Sequence, residues 1–150
     1  MDTVDKVTRS KIMSSVGQKN TGPELVLRRT LHRLGLRYRL HDNKLSGSPD
    51  IVFPQYHTVL FVHGCFWHNH GCGLSRTPST NHEYWKKKFE DNTARDRRNT
   101  ENLLLNGWRV ITVWECSLEG KNANPESVAI DIRDWLKSNG SYFETPTKIP

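Results

Sequence analysis

Twelve residues near the middle of the chain concentrate the side chains best suited to metal binding and proton transfer. Residues 61–72 read FVHGCFWHNHGC and contain three histidines and two cysteines. Cysteine thiolates and histidine nitrogens are the ligands that Zn²⁺ prefers, usually in tetrahedral sets of four. Histidine is also the side chain whose charge changes near neutral pH, which suits it to acid–base chemistry. The segment therefore indicates a metal site, an active site, or both.

The cysteines of the chain predict one structural zinc site. The chain has three cysteines, an odd number that argues against a disulfide framework. The predicted ligands are Cys65, His70, Cys72 and Cys116. The first three lie within eight residues, and the fourth follows the predicted strand that ends at Trp114. Four protein ligands would leave no open position on the ion, so the site would be structural. Either His68 or His63 could replace His70 as the nitrogen ligand.

An aspartate that opens a predicted strand is the second chemical candidate. A Ser-Pro turn precedes Asp50 and an apolar run follows it, which would hold the carboxylate at the edge of a sheet. The next strand ends at Val62 and His63, so Asp50 and His63 could face one cleft. A carboxylate there can bind Mg²⁺, which polarises a phosphoryl oxygen and stabilises a leaving alkoxide. Asp96, flanked by arginines, could orient a histidine or form surface ion pairs.

Capping signals and periodicity predict the elements that would hold these residues. Thr21 to Glu24 has the T-x-x-E form of a capping box, and apolar residues at helical spacing follow it up to Gly35. Alternation predicts a half-buried strand over 36–40. Further strands are predicted at 50–53, 58–62 and 108–114, with helices at about 81–105 and from Pro125. This order predicts an α/β fold in which helices flank a mixed sheet.

Length and charge limit the class of protein. A chain of 150 residues suits one domain, and we predict a basic N-terminal arm at 1–20, a single domain at 21–138 and a loose tail at 139–150. The net charge of +6 favours an anionic partner such as nucleic acid. No apolar run approaches the roughly 20 residues that cross a bilayer, and the N-terminus lacks the apolar segment of a signal peptide. We therefore expect a cytoplasmic protein with no membrane contact.

Four separated motifs together resemble the very short patch repair (Vsr) family of DNA mismatch endonucleases. They are Pro49-Asp50, the segment 62–72, the run 95–98 (RDRR), and the strand segment 107–116 with its GWRV and VWEC ends. The likeness covers about residues 5–120. It implies a restriction-endonuclease-like fold of the PD-(D/E)xK type, with an added structural zinc site. The second acid and the lysine of the wider nuclease fold are absent, because Val62 and His63 stand in their place.

The resemblance implies a bacterial DNA repair enzyme that acts on duplex DNA with a T:G mismatch, left by deamination of 5-methylcytosine. The expected reaction is Mg²⁺-dependent hydrolysis that nicks the strand 5′ of the mispaired T, leaving a 5′-phosphate and a 3′-hydroxyl. We expect a monomer that acts at the nucleoid and cooperates with mismatch-repair proteins and a cytosine-5 methyltransferase system. The alternative is a site- or structure-specific endonuclease of the same fold that acts on DNA without a T:G mismatch.

The resemblance also assigns catalytic roles residue by residue. The implied catalytic residues are Glu24, Asp50, His63, His68 and Asp96. Asp50 and the main-chain carbonyl of Val62 would bind Mg²⁺. His68 would be the general base for the attacking water, and Asp96 would orient it. The remaining two would be a second active-site histidine and an acidic residue that supports the site from the first helix.

The family likeness extends to the zinc site and the DNA interface. The implied zinc ligands are again the three cysteines and His70. The implied DNA-binding residues are Met13, Phe66, Trp67, Trp85, Lys88, Arg97 and Arg98. The three aromatic rings would wedge between base pairs beside the mismatch, which costs a few kcal/mol of unstacking and less at a weak T:G pair. The cations, with Lys86 and Lys87, would contact phosphates or else form only a solvated face.

Overall fold

A five-stranded mixed sheet forms the centre of the molecule. The computed structural model describes residues 21–65, 80–121 and 123–146. Its helices and strands are α1 (Gly22–Arg33), β1 (Arg39–Leu40), β2 (Ile51–Phe53), β3 (Thr58–His63), α2 (His82–Leu105), β4 (Arg109–Trp114), α3 (Pro125–Leu136) and β5 (Tyr142–Thr145). The strands lie in the order β1-β2-β3-β4-β5. The first two pairings are antiparallel and the last two are parallel, so the predicted mixed sheet is confirmed.

Two apolar cores cover the two faces of the sheet. On one face, which we call the α1 face, Leu27 and Leu31 of α1 and Ile132 of α3 pack against alternate residues of the strands. On the other, which we call the α2 face, Leu103 of α2 packs with Val59, Phe61 and Val110. Because side chains alternate along a strand, neighbouring residues of β3 and β4 belong to different faces. The predicted placement of both strands in the centre of the sheet is confirmed, since each lies between two other strands and most of the residues of each are buried.

Local capping sets the ends of the helices that carry the site. The Thr21 hydroxyl accepts the Glu24 N–H at 3.3 Å and so caps the first turn of α1. After α1 ends, Gly35 adopts a φ of +89°, a left-handed conformation that favours glycine. Asn124 caps α3 in the same way, through the Ser127 N–H at 3.0 Å. These bounds agree with the helices that the sequence predicts.

Two predictions of secondary structure are wrong. The strand predicted over 36–40 shrinks to Arg39–Leu40, and both of its residues are exposed. Leu36 is instead buried in the core of the α1 face, before the strand begins. The tail predicted to be loose from residue 139 contains β5, which pairs in parallel with β4 from Tyr142 to Thr145. The folded domain therefore extends beyond the predicted boundary at residue 138.

The length and hydropathy of a helix decide whether it could span a membrane. Among α1, α2 and α3, which are the helices of the described residues, none combines the length and the apolar character needed to cross a bilayer.

Candidate active site

Asp50 lies at one end of the sheet, immediately before the first residue of β2. Its peptide N–H donates to the Leu60 carbonyl at 3.1 Å, which extends the pairing of β2 with β3 by one residue. Its side-chain Oδ2 accepts the Val62 N–H at 2.8 Å. The carboxylate therefore stands beside the last residues of β3, where the sequence predicts it. The peptide of Val62, whose carbonyl is a predicted cation ligand, is its direct neighbour.

Glu24 brings a second carboxylate to the same edge from the first turn of α1. The residue is only 1% exposed, although glutamate is rarely buried without partners. Its Oε2 accepts a hydrogen bond from Arg28 Nη1 at 3.0 Å and pairs with His41 Nε2 at 2.9 Å. The T-x-x-E pattern thus has two functions, because the Glu24 N–H meets the Thr21 cap while the carboxylate lies in the interior.

His41 completes this group from the turn that follows β1. It adopts a φ of 50°, and its peptide N–H donates to the Asp50 carbonyl at 3.0 Å. The ligand atoms of Glu24, His41 and Asp50 all lie within 4.8 Å of one another. We call these three residues the carboxylate cluster. Two carboxylates and one imidazole at this spacing could hold a divalent cation.

The environment of Asp50 penalises negative charge on its carboxylate. Burial raises the pKa of Asp50 from 3.8 to about 7; the Val62 N–H opposes this rise, and the neighbouring Glu24 carboxylate adds to it. Arg28 supplies one positive charge to Glu24. With both carboxylates ionised and His41 neutral, the carboxylate cluster and Arg28 together carry one net negative charge. A bound cation would stabilise the ionised form of Asp50.

A second group of polar side chains lies on the α2 face of the sheet. The ring of His63, the last residue of β3, contacts the rings of Phe61 and Trp114 at centroid distances of 5.7 and 5.3 Å. The Trp114 Nε1–H donates to Glu144 Oε2 of β5 at 3.0 Å. The Tyr142 hydroxyl lies 3.4 Å from the same oxygen. We call His63, Trp114, Tyr142 and Glu144 the imidazole cluster.

Asp96 projects from α2 toward the imidazole cluster. It is partly buried. Burial is the main cause of the raised pKa of Tyr142; a hydrogen bond with Thr112 opposes the rise, and the Glu144 and Asp96 carboxylates add to it. The structure therefore brings Asp96 and His63 to one face, and Glu24 and Asp50 together at the edge of the sheet. His68, the predicted general base, lies outside the described residues.

Two of the four predicted zinc ligands come from neighbouring strand ends. His63 pairs with Trp114 in the parallel register of β3 and β4, so Cys65 and Cys116 each follow that pair by two residues. Cys65 is fully buried and Cys116 is partly buried. The Cys65 N–H donates to Glu115 Oε1 at 3.1 Å, which ties the two segments together. Two thiols on adjoining segments suit Zn²⁺. The other predicted ligands, His70 and Cys72, lie outside the described residues.

The predicted DNA-binding residues on α2 are divided between contact with the fold and exposure to solvent. Trp85 is partly buried, and its ring contacts Tyr84 and Phe89 at 5.3 and 5.9 Å. Arg97 and Arg98 are exposed, and Lys88 is partly exposed. Met13, Phe66 and Trp67 lie outside the described residues. The DNA contacts of these residues stay predictions.

Sequence reasoning missed His41 and the acceptor role of Glu144. His41 stands in the turn segment LHDNKL, which matches no metal-binding motif. A signal was present, because His41 lies nine residues before Asp50, a spacing that lets two short strands pair and bring both residues to one end. Glu144 was placed in the tail that was predicted to be loose. Long-range pairing of β4 with β5 defines its role, and no local pattern encodes that pairing.

A mixed sheet flanked by helices, with carboxylates gathered at a strand edge, defines an α/β fold of the kind that nucleases use. The family described as "DNA mismatch endonuclease Vsr" matches residues 1–74 of the chain. The DNA mismatch endonuclease Vsr of Escherichia coli K12 is 39% identical over 148 residues, which cover 98% of this chain and 95% of the relative. The type II nicking enzyme V.XorIIP of Xanthomonas oryzae pv. oryzae is 48% identical over 81% of this chain and 90% of the relative.

A third relative, the type II nicking enzyme V.NmeAIP of Neisseria meningitidis, is 42% identical over 75% of this chain and 81% of its own length. Similarity of this degree over nearly whole chains is expected only of proteins with a common fold and ancestry. The chain therefore belongs to the Vsr family of DNA mismatch endonucleases.

Proposed function

We propose that this chain is a Mg²⁺-dependent endonuclease that nicks duplex DNA on the 5′ side of the mispaired T in a T:G mismatch. The observation that carries the proposal is the meeting of two carboxylates, Glu24 and Asp50, beside the Val62 peptide at the edge of the sheet. The names of the relatives support it, since one is a mismatch endonuclease and others are nicking enzymes.

Asp50 is the central ligand of the proposed cation site. Its carboxylate and the Val62 carbonyl offer the hard oxygen ligands that Mg²⁺ prefers, with water and substrate phosphate as the remaining ligands. Glu24 adds negative charge at hydrogen-bonding distance from Asp50 and so favours a cation there. Bound Mg²⁺ would polarise the phosphoryl oxygen and neutralise charge on the leaving alkoxide.

Acid–base roles are proposed for His63, at the end of β3, and for His68, in the segment beyond it that is predicted to be a loop. His68 would accept the proton of the attacking water, and Asp96 would orient its ring. His63, whose ring packs on Trp114, would donate a hydrogen bond to the scissile phosphate. The attack forms the phosphorus–oxygen bond to water and breaks the bond to the 3′ oxygen, which leaves as an alkoxide and takes a proton from solvent water. The products are a 5′-phosphate and a 3′-hydroxyl.

The proposed zinc site has a structural role next to these histidines. Its ligands would be Cys65, His70, Cys72 and Cys116, and the contact between Cys65 N–H and Glu115 supports the approach of two of them. Four protein ligands would fix the segment that follows β3, which the sequence predicts to be a loop. Phe66 and Trp67 belong to that predicted loop, so fixing it would present these rings to the base pairs beside the mismatch.

Further DNA contacts are proposed on α2 and in the N-terminal arm. Trp85 would join the aromatic wedge, and Met13 and Lys88 would touch the mismatch. Arg97 and Arg98, which are exposed, would contact phosphates. The substrate arises from methylated cytosine, so a cytosine-5 methyltransferase system and mismatch-repair proteins are proposed as functional partners.

A panel of end-labelled duplexes tests the proposal directly. The panel contains T:G, the other mispairs and a C:G control, each in several flanking contexts, with and without Mg²⁺. We expect a single nick on the T strand, 5′ of the mispaired T, that requires Mg²⁺. Equal cleavage of T:G and C:G duplexes would contradict the mismatch specificity.

A second candidate function rests on the names of several relatives. Three of the relatives with at least 41% identity are described as type II nicking enzymes, with no mismatch in the name. The same site would then nick one strand of fully paired DNA at a fixed sequence. Fully paired duplexes with randomised sequence, followed by sequencing of the nicked ends, separate this function from mismatch cleavage.

A further inference from the structure

The carboxylate cluster contains an imidazole that the proposed cleavage reaction does not use. His41 is held on two sides, since its peptide N–H donates to the Asp50 carbonyl at 3.0 Å and its Nε2 lies 2.9 Å from Glu24 Oε2. Its side chain is 17% exposed, whereas that of Glu24 is 2% exposed. A ring fixed in this way points to the centre of the cluster and remains accessible from solvent on one side.

The geometry of the cluster suits a cation next to this ring. Glu24 and Asp50 each offer a carboxylate oxygen as a ligand, and Arg28 Nη1 lies 3.0 Å from Glu24 Oε2. The ligand atoms of Glu24, His41 and Asp50 lie within 4.8 Å of one another, the spacing expected of groups that share one ion. Imidazole nitrogen is a borderline ligand that suits transition-metal ions, whereas Mg²⁺ prefers oxygen.

We propose that His41 is a third protein ligand of the cation site, and that its nitrogen makes this site bind Mn²⁺ more tightly than Mg²⁺. The inference rests on the proposed function, because it concerns the same cation site. It adds a metal preference that two carboxylates alone would not give. Either ion fills the site, and the imidazole decides which binds at the lower concentration.

A simpler role for His41 would be to orient Glu24 through the hydrogen bond between Nε2 and Oε2. The two roles predict different effects of His41→Gln. Glutamine can keep a hydrogen bond to Glu24, so an orienting role would leave the preference between ions unchanged. Glutamine offers Mn²⁺ only an amide oxygen, so a ligand role would remove the preference for Mn²⁺.

Metal binding without DNA measures this preference independently of activity. Full-length, zinc-loaded protein is titrated with Mn²⁺ and followed by electron paramagnetic resonance, and Mg²⁺ is then added as a competitor. We expect His41→Gln to weaken Mn²⁺ binding by roughly tenfold or more and Mg²⁺ binding by less than about threefold. His32→Gln, which changes an exposed histidine on α1, is the matched control and should behave like the wild type.

Two further measurements separate the possible failures. Electron spin-echo modulation of Mn²⁺ bound to the wild type should show coupling to an imidazole nitrogen, and His41→Gln should abolish it. Absence of this coupling, or an unchanged ratio of Mn²⁺ to Mg²⁺ affinity in His41→Gln, would overturn the ligand role of His41. Asp50→Asn tests the proposed function instead: if it binds both ions as tightly as the wild type, the cation site is not at Asp50.

Discussion

The carboxylate cluster and the imidazole cluster lie at the same end of the sheet but obey different electrostatics. In the first, the ligand atoms of two carboxylates and one imidazole lie within 4.8 Å of one another, and Arg28 pairs with Glu24. In the second, Glu144 receives the Trp114 N–H at 3.0 Å and lies close to the Tyr142 hydroxyl, so its charge is met by hydrogen bonds within the protein. We propose that the first group binds a cation, whereas the hydrogen bonds of the second hold the Trp114 ring in place.

The two clusters share the end of β3. Val62 donates its N–H to Asp50, and the next residue, His63, belongs to the imidazole cluster. Because neighbouring residues of a strand point to opposite faces, a single strand end can supply both groups. In the proposed mechanism, cation binding and proton transfer therefore belong to two separate packing environments that would meet at one phosphate. Each of the following predictions tests that division.

Removal of the central carboxylate should have the largest effect. Asp50→Ala should reduce the single-turnover rate of nicking by on the order of a thousandfold, because the cation that stabilises charge in the transition state loses its ligand. Binding to mismatched duplex, measured by fluorescence anisotropy, should change little. Asp131→Asn, an exposed position on α3, is the control. A rate loss below about tenfold in Asp50→Ala would remove Asp50 from the reaction.

Disturbance of the imidazole cluster should have a smaller effect on rate. Trp114→Phe keeps a ring beside His63 but removes the N–H that donates to Glu144, so we expect roughly a tenfold loss of kcat with little change in KM. Unfolding stability should fall by about 1 kcal/mol, the usual contribution of such a hydrogen bond. Glu144→Gln keeps an acceptor oxygen and should lose less. Equal kcat in wild type and Trp114→Phe would show that His63 needs no such support.

In the absence of added Mg²⁺, the pH dependence of the free energy of unfolding should reveal the raised pKa of Asp50 in the carboxylate cluster. The folded-state pKa of Asp50 is raised from 3.8 to about 7, so its stabilising contribution is full below pH 3.8 and is lost as the pH rises through about 7. The Asp50→Asn substitution removes this loss. Urea unfolding should therefore show the substituted protein to be more stable than the wild type near pH 8, by on the order of 2 kcal/mol, and similar near pH 4. A constant difference across this range would contradict the raised pKa.

Exposed arginines on the two sides of the sheet should differ slightly in their effect on DNA binding. Arg98→Ala on α2 should lower the slope of log K against log salt by about 1, because one phosphate contact is lost. Arg33→Ala on α1 is exposed in the same way and should leave the slope unchanged. Equal slopes for both variants and the wild type would exclude Arg98 from the interface. A lower slope for Arg33→Ala would place DNA on the α1 side.

Local sequence signals predicted the helices. A strand that is defined only by long-range pairing could not be predicted from the sequence. Thr21, Gly35 and Pro125 mark helix ends through capping and backbone preference, which act over a few residues. The prediction of a strand over 36–40 was wrong because alternation gave no information on whether a partner strand was available along that whole length. β5 was missed because Tyr142–Thr145 is too short and too polar to be recognised before its pairing with β4 is known.

The candidate site shows the same division. The position of Asp50 at the start of a strand could be predicted from a proline turn and an apolar run, whereas its proximity to the Val62 peptide was implied by the family resemblance. The burial of Glu24 could not be predicted from its capping pattern, because burial depends on how α1 packs on the sheet. His41 contacts Glu24 because it adopts a positive φ in the turn after β1. The sequence of that turn does not predict this conformation.

The adjacency of Val62 and His63 limits the changes of length that β3 can undergo without loss of activity. An insertion or deletion of one residue within β3 would move every later side chain of that strand to the opposite face of the sheet. The imidazole would then arrive on the side of α1, and the peptide that bonds to Asp50 would be displaced. Length changes in this lineage should therefore accumulate in the surface turns and leave the six residues of β3 at constant length.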